Sequence, residues 1–378
     1  MAVQETIHWT EADHRHMALA IQLAEKGLYT TEPNPRVGCV LVKNGAIIGQ
    51  GYHRKAGEGH AEVNALAQAG ADAEGCTAYV TLEPCSHFGK TPPCAHALID
   101  AQVREVIVAM VDPNPQVSGS GIRKLEQAGI TVRCGLLESQ ARALNPGFIK
   151  RMTSGLPYVR VKMAVSLDGR TAMASGESQW ITGPLARQDV QRLRARSSAI
   201  ISGVGSITKD DSALTLRAEQ LGLDNAEEVV QRQPLRVVLD SAGRMPESAQ
   251  MLRLPGQTLI VSCVAAPEYV ARTERLEWLQ LDGHNGGIDL TLLLKQLAER
   301  GCNEVLVETG ATLAGAFIEA DLVDQLVIYQ AMKLLGSRAR PMFLLPLDKM
   351  SQQVELTLTD SRMLGADQRL ILEVVERV

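Results

Sequence analysis

The sequence predicts an α/β protein of two domains, and three observations carry that expectation. At 378 residues the chain exceeds the roughly 250–300 residues at which one hydrophobic core stops growing. Strand-like and helix-like segments alternate along both halves, the pattern of layered α/β folds. Between the halves lies a run of breakers, Asn145-Pro146-Gly147 and then Ser154-Gly155-Leu156-Pro157, which divides the chain into residues 1–155 and 156–378.

In the first half, residues 17–26 form a short amphipathic stretch, expected as a helix stopped by Gly27. Segments 37–42 and 46–51 are strand-like, and Asn44-Gly45 between them is the pair that a tight hairpin turn favours. Residues 60–69 read as a helix closed by Gly70, 77–82 as a buried strand, 93–101 as a helix and 105–111 as a strand. One more helix and strand over 121–134 complete the layer. The second half opens at 158–166, where Val159, Val161, Met163 and Val165 alternate with Arg160, Lys162, Ala164 and Ser166, a strand with one apolar face. Thr182, two residues before Pro184, is expected to start a helix to about Arg196, its hydroxyl accepting an orphan amide while proline fits the first turn. Further strands are expected at 199–203, 235–240, 258–263 and 303–308, with helices at 289–300 and 314–319. This alternation implies a largely parallel sheet, and the strand-rich tail at 354–375 implies an antiparallel edge.

Hydrophobic residues make up 45% and charged residues 21% of the chain, a globular composition. A net charge of -5 with 3% aromatics argues against a nucleic-acid partner, which would call for a basic footprint. A small-molecule substrate is the expectation. The opening residues show neither a basic nor an apolar leader region, and no run approaches the roughly 18 apolar residues of a membrane span. A cytoplasmic protein without membrane contact is therefore expected. Seven cysteines, an odd number, do not suggest a disulfide framework, which leaves metal binding or burial. Cys39, Cys76, Cys134, Cys263 and Cys302 read as small buried hydrophobes.

His60, Cys85 and Cys94 are different, because they sit at helix starts and just after a strand together with Glu62. Catalytic zinc takes three nitrogen or sulfur ligands and keeps a fourth position for water, whose pKa it lowers toward neutrality. Glu62, two residues from His60, is placed to accept the water proton and return it to a leaving amine. A His-x-Glu followed by Pro-Cys-x-x-Cys marks zinc nucleobase deaminases. Here eight residues rather than two separate the cysteines, so His87 between them is an alternative donor to Cys94.

Six segments carry a resemblance. The runs at 33–38 (PNPRVG), 60–62 (HAE) and 81–94 (TLEPCSHFGKTPPC) resemble the deaminase half of the bifunctional riboflavin-biosynthesis deaminase-reductases, whose long cysteine spacing this is. Residues 161–170 (VKMAVSLDGR), 176–182 (GESQWIT) and 308–315 (ETGATLAG) resemble the reductase half. The resemblance implies a cytidine-deaminase-like α/β/α sandwich followed by a dihydrofolate-reductase-like α/β domain. It implies one zinc ion per chain, NADPH, and two consecutive reactions on a phosphoribosylated pyrimidine. The first would hydrolyse the 2-amino group of 2,5-diamino-6-(5-phosphoribosylamino)pyrimidin-4-one. The second would reduce the ribosyl group of the product, 5-amino-6-(5-phosphoribosylamino)uracil, to ribityl. Self-association as a dimer or tetramer through the reductase half is likewise expected.

By the same resemblance, Ala164, Trp180, Ser206, Asp210, Ser241 and the loop Gly310, Ala311, Thr312, Leu313, Ala314, Gly315 and Ala316 would contact NADPH. Ser178, Arg194, Leu214, Arg217 and Glu308 would contact the substrate, the arginines by planar phosphate recognition or else as solvated surface groups. Ser206 stands where the family pattern suggests threonine, and Ser212 where it suggests proline. No Gly-x-Gly-x-x-Gly opens a helix, but backbone amides after Gly310 can hold a phosphate. Lys162 is expected to face the cleft, the alternative being a stem that reaches solvent. Asn34, His53 and Lys90 are expected near the pyrimidine and its phosphate, or else on surface loops. Two rival readings stand beside this one. The first is an RNA or nucleoside deaminase with a substrate-binding C-terminal half. The second is a structural zinc module carrying an interaction domain.

Overall fold

The structure, a computed structural model of the chain, describes residues 8–86, 93–115, 117–284 and 287–375. The chain divides into two compact units, with the boundary between Gly155 and Leu156.

The first unit begins with α1 (Glu11–Glu25), six residues earlier than the apolar pattern suggests. A capping box sets that start. Thr10 Oγ1 accepts from the Asp13 amide at 3.1 Å and Asp13 Oδ2 accepts from the Thr10 amide at 2.9 Å, satisfying two donors that the helix end leaves open. The hairpin of β1 (Gly38–Lys43) and β2 (Ala46–Tyr52) turns at Asn44 and Gly45. Their φ angles of 51° and 78° are both left-handed, as a two-residue turn with the twist of its strands requires. There follow α2 (Ala61–Ala69), β3 (Thr77–Val80), α3 (Cys94–Asp100), β4 (Glu105–Val108), α4 (Ser120–Gln127) and β5 (Thr131–Cys134). The sheet runs β2-β1-β3-β4-β5, parallel from β3 onward. Side chains of β1 alternate between two cores: Cys39 and Leu41 pack with Ala65 and Leu98 of α2 and α3, Val40 and Val42 with Met17 and Leu23 of α1. The result is an α/β/α sandwich.

The breakers at 145–147 do not form a linker. They join α5 (Glu138–Leu144) to α6 (Pro146–Ser154), with Pro146 in the first turn. Buried Asn145 accepts from the Arg36 amide at 2.8 Å and donates to the Arg36 carbonyl at 2.9 Å, tying this corner to the start of β1. The chain leaves the unit only at Gly155, whose φ of 71° ends α6.

The second unit contains β6 (Tyr158–Ser166), β7 (Arg170–Ala172), α7 (Pro184–Arg196), β8 (Ala199–Gly203), α8 (Val204–Asp210), α9 (Ala226–Val229), β9 (Leu235–Leu239), β10 (Thr258–Ser262) and β11 (Leu276–Gln280). After the short pair β12 (Gly283–His284) and β13 (Gly287–Ile288) come α10 (Leu290–Glu299), β14 (Glu304–Glu308), α11 (Ala311–Glu319), β15 (Gln325–Ala331), β16 (Arg340–Pro341), β17 (Leu356–Leu364) and β18 (Asp367–Val374). Nine strands form one sheet in the order β11-β10-β9-β8-β14-β6-β15-β18-β17. It is parallel through β15, and the β17–β18 hairpin adds the antiparallel edge. The strand β15, absent from the expected set, supplies the seam between the two parts. Thr182 does not cap α7: Gly183 holds that position, and its amide donates to Asp367 Oδ2 at 2.6 Å. The cap comes from a strand far along the chain.

Gly38 shows how tightly the first unit is packed. A Cβ there would lie 1.9 Å from the Ala20 carbonyl oxygen, inside the backbone of α1. Gly38→Ala is expected to cost this unit about 3 kcal/mol, the upper end of ordinary overpacking. Amide hydrogen exchange should rise in α1 and β1 and stay unchanged in β6.

Candidate active sites

His60 occupies the extended residue before α2, and its ring makes no capping bond, so the imidazole is left for other partners. Glu62 follows in the first turn and is buried. Cys85 lies on the loop after β3, and Cys94 is the first residue of α3. Among the described residues these three ligand types form one metal-capable group, with donor atoms all within 4.8 Å of one another. His60 Nδ1 is 3.6 Å from Cys85 Sγ and 3.2 Å from Cys94 Sγ. A tetrahedron with Zn–S near 2.3 Å and Zn–N near 2.1 Å has N–S edges of about 3.6 Å, so the donor set fits zinc. His87 and Lys90 lie outside the described residues.

The two thiols are strongly unlike. A hydrogen bond from Cys94 brings the Cys85 thiol down to about 4, helped by the His60 ring and the Cys94 amide, while the Cys85 thiolate pushes Cys94 far up. The Cys94 amide donates to Cys85 Sγ at 3.3 Å. Burial raises the Glu62 carboxyl, and the Cys85 charge adds to that. A buried carboxyl with a raised pKa beside a metal-ligand triad is suited to holding and passing a proton.

Asn34 and His53 meet at the same edge. Asn34 Nδ2 donates to His53 Nε2 at 3.0 Å, so Nδ1 carries the ring proton and donates to the Gly59 carbonyl at 3.2 Å. The buried His53 ring stands edge-on to His60 with centroids 5.0 Å apart, and burial lowers its pKa. The sequence reading gave no role to Glu83, whose buried carboxylate accepts four backbone amides. The available signal was an acidic residue closing an apolar strand just before Pro84-Cys85.

In the second unit a cleft of about 1140 Å³ opens at the carboxyl ends of β6, β8 and β14, where parallel α/β sheets place ligands. Lys162, Ala164, Ser178, Trp180, Arg194, Ser206, Asp210, Leu214, Arg217, Ser241 and Glu308 all line it. Gly310, Ala311, Thr312, Leu313 and Ala316 do so as well, but Ala314 and Gly315 do not. The segment 310–316 is the opening of α11 rather than a loop, with Gly310 in the N-cap place. Ala314 and Gly315 therefore turn toward the core: Ala314 is fully buried, and a Cβ on Gly315 would lie 2.0 Å from the Leu344 carbonyl oxygen. Side chains of seven cationic residues line the cleft (Lys162, Arg187, Arg194, Lys209, Arg217, Arg244 and Arg340) against three acidic ones (Asp210, Asp211 and Glu308). With the start of α11 this makes an anion-favouring cavity in a chain of net charge -5.

Arg194 is not free to clamp a phosphate with its fork. Its Nε and Nη2 donate to the two oxygens of buried Glu308 at 2.6 and 3.0 Å, and Nη1 donates to the Thr215 carbonyl at 3.3 Å. Lys162 Nζ lies 3.5 Å from Glu308 Oε2, which fixes it in the cleft rather than in solvent. Burial alone would raise the Glu308 carboxyl, but Arg194 and Lys162 outweigh it and hold it at about 2. Because the folded value lies below the unfolded one of about 4.3, this contribution is present above pH 4 and is lost as the pH falls toward 2. It amounts to roughly 3 kcal/mol. Urea unfolding of the second unit should therefore show Glu308→Gln destabilised by a constant amount from pH 7 to 5, with the gap to the parent protein closing between pH 4 and 2.

The sites and folds agree with comparisons to known proteins. Residues 10–110 match the cytidine and deoxycytidylate deaminase zinc-binding region, and residues 157–370 match the RibD C-terminal domain. The chain is 49% identical over 367 residues to the riboflavin biosynthesis protein RibD of Escherichia coli, covering 94% of this chain and 97% of that one. The solved RibD of Acinetobacter baumannii superimposes with a TM-score of 0.91 at 47% identity, covering 97% of this chain and 99% of the other. A diaminohydroxyphosphoribosylaminopyrimidine deaminase/5-amino-6-(5-phosphoribosylamino)uracil reductase from Thermotoga maritima gives 0.84 at 31% identity, covering 96% and 99%. With a zinc-type donor triad in one unit, an anion-favouring cleft in the other, and full-length similarity joining them, the chain belongs to the RibD family of bifunctional deaminase-reductases of riboflavin biosynthesis.

Proposed function

We propose that residues up to 155 carry the deaminase and residues from 156 the reductase, acting in that order on a phosphoribosylated pyrimidine. The observation that carries the first assignment is buried Glu62 beside the His60, Cys85 and Cys94 donors. These three residues would hold zinc, which when bound makes hydroxide available from water near neutral pH. Glu62 takes the water proton and returns it to the departing amine of 2,5-diamino-6-(5-phosphoribosylamino)pyrimidin-4-one. Asn34, oriented by His53, faces the ring as a hydrogen-bonding partner, and Lys90 is assigned to the phosphate end by the family pattern.

In the second unit, NADPH when bound would supply the hydride that, with a proton from solvent, reduces the ribosyl group of 5-amino-6-(5-phosphoribosylamino)uracil to ribityl and leaves NADP+. Ala164, Trp180, Ser206, Asp210, Ser241 and the exposed start of α11 are assigned to the cofactor, whose phosphates the free amides of that helix suit. Ser178, Leu214, Arg217, Lys162 and Glu308 are assigned to the substrate. The guanidinium of Arg217 is at the exposed rim of the cleft, which suits a phosphate better than Arg194 does. Arg194 acts by orienting Glu308. No helix of the described residues is long and apolar enough to cross a membrane, which accords with action in the cytoplasm. Self-association of the reductase unit is supported by the apolar side chains that Leu356, Leu358 and Met363 expose on β17, an edge strand.

Incubation of the zinc-loaded protein with the diaminopyrimidine should release ammonia without NADPH, and consume NADPH only after deamination. Glu62→Ala should lower ammonia release by about 10²–10⁴-fold with zinc retained, while NADPH oxidation on supplied 5-amino-6-(5-phosphoribosylamino)uracil stays at the parent rate. A structural zinc module would instead tolerate that substitution.

A further inference from the structure

We infer that Glu83 is a positioning residue for the Cys85 thiolate, and that α4, which contributes no ligand, sets the affinity of the metal site through its hold on Glu83 and Ser86, residues on either side of Cys85. The inference rests on the zinc reading of His60, Cys85 and Cys94.

Glu83 is 3% exposed, and among the described residues its hydrogen bonds come from backbone amides and from no cationic side chain. Its Oε2 accepts from the amides of Asp112 and Gly119 at 3.1 and 2.9 Å, and its Oε1 from those of Gly121 and Ile122 at 2.8 and 3.3 Å. Gly119 is the N-cap residue of α4 and Gly121 and Ile122 lie in its first turn, so the carboxylate closes a helix start from the loop that follows β3. Amides at such an end carry partial positive charge and are open to an acceptor. Two needs are met at once: the helix gains its cap, and the buried charge gains donors.

The neighbours of Glu83 are tied to the same helix. A Cβ on Gly121 would lie 2.0 Å from the Pro84 carbonyl oxygen, so only glycine lets α4 approach this segment. Beyond Cys85, the Ser86 carbonyl accepts from Lys124 Nζ at 2.9 Å, and the hydroxyls of Ser86 and Ser120 are 2.6 Å apart. Glu83, Pro84 and Ser86 are thus all anchored to the helix, on both sides of Cys85. Cys85 itself is held from the opposite direction, its carbonyl accepting from the Ala95 amide at 3.1 Å. The backbone carrying Cys85 is thus fixed from two directions, with its sulfur 3.6 Å from His60 Nδ1. Partners beyond the ligands typically change metal affinity by about 10–100-fold when removed.

The test measures zinc dissociation constants by chelator competition on the full chain, together with the thiolate-to-metal charge-transfer absorption of the cobalt-substituted protein. In Glu83→Gln an amide NH₂ meets two backbone donors, and zinc affinity is expected to fall at least 10-fold, with charge-transfer intensity per bound cobalt reduced as Cys85 is displaced. Lys124→Met, a milder change on the surface of α4, is expected to weaken zinc by several-fold, and it decides the matter alone where Glu83→Gln does not fold. Dissociation constants within twofold of the parent and unchanged cobalt spectra would overturn the inference. A parent protein that binds no zinc would instead overturn the zinc reading, so the two failures are distinct.

Discussion

A carboxylate taken out of water must be answered by donors or opposite charge, and both sites are organised by how their buried glutamates meet that demand. Glu83 is answered by four amides. Glu308 is answered by Arg194 and Lys162, which keep it ionised in the cleft. Glu304, at the opposite end of β14 from the cleft, is answered by Arg160 and Arg196. Glu62 is the exception: neighbouring thiolate charge and burial both disfavour its ionised form. Glu83, Glu304 and Glu308 are each met by donors or opposite charge, whereas around Glu62 the net balance favours the protonated carboxyl.

What the sequence discloses follows from how local each determinant is. The hairpin at Asn44-Gly45, the strand 158–166 and the His60, Glu62, Cys85, Cys94 group are encoded within short windows, by turn chemistry, period-two alternation and ligand spacing. The true start of α1 was hidden because its first turn is polar, and only the Thr10–Asp13 box reveals it. The partners of Glu83 lie 29 to 39 residues away, and Arg194 meets Glu308 across 114. Such pairings depend on strand order, which no window of sequence contains. The same limit explains Ala314 and Gly315: a motif read as a loop gives every residue one face, whereas a helix sends consecutive side chains to different faces.

Composition misleads for a related reason. The overall charge of -5 points away from anionic partners, yet the cleft of the second unit is cationic. Net charge governs solubility and long-range encounter, while affinity for a phosphate is decided by groups within a few ångströms. A cationic cleft in a chain of net negative charge suits a small anion better than a polyanionic strand, consistent with a phosphorylated metabolite rather than nucleic acid.

The commitment of Arg194 also divides labour within that cleft. A guanidinium closed on a carboxylate presents no planar fork to a ligand, but it fixes the carboxylate plane against the strand end. Lys162, sharing the same carboxylate, is thereby held with its ammonium in the cleft rather than in solvent. Arg217 at the rim and the amides opening α11 are not tied up in this ion cluster. The charges that position one another are buried deep in the cleft, whereas Arg217 stands exposed at its mouth, so a group meeting Arg217 there need not break the ion cluster that fixes Glu308.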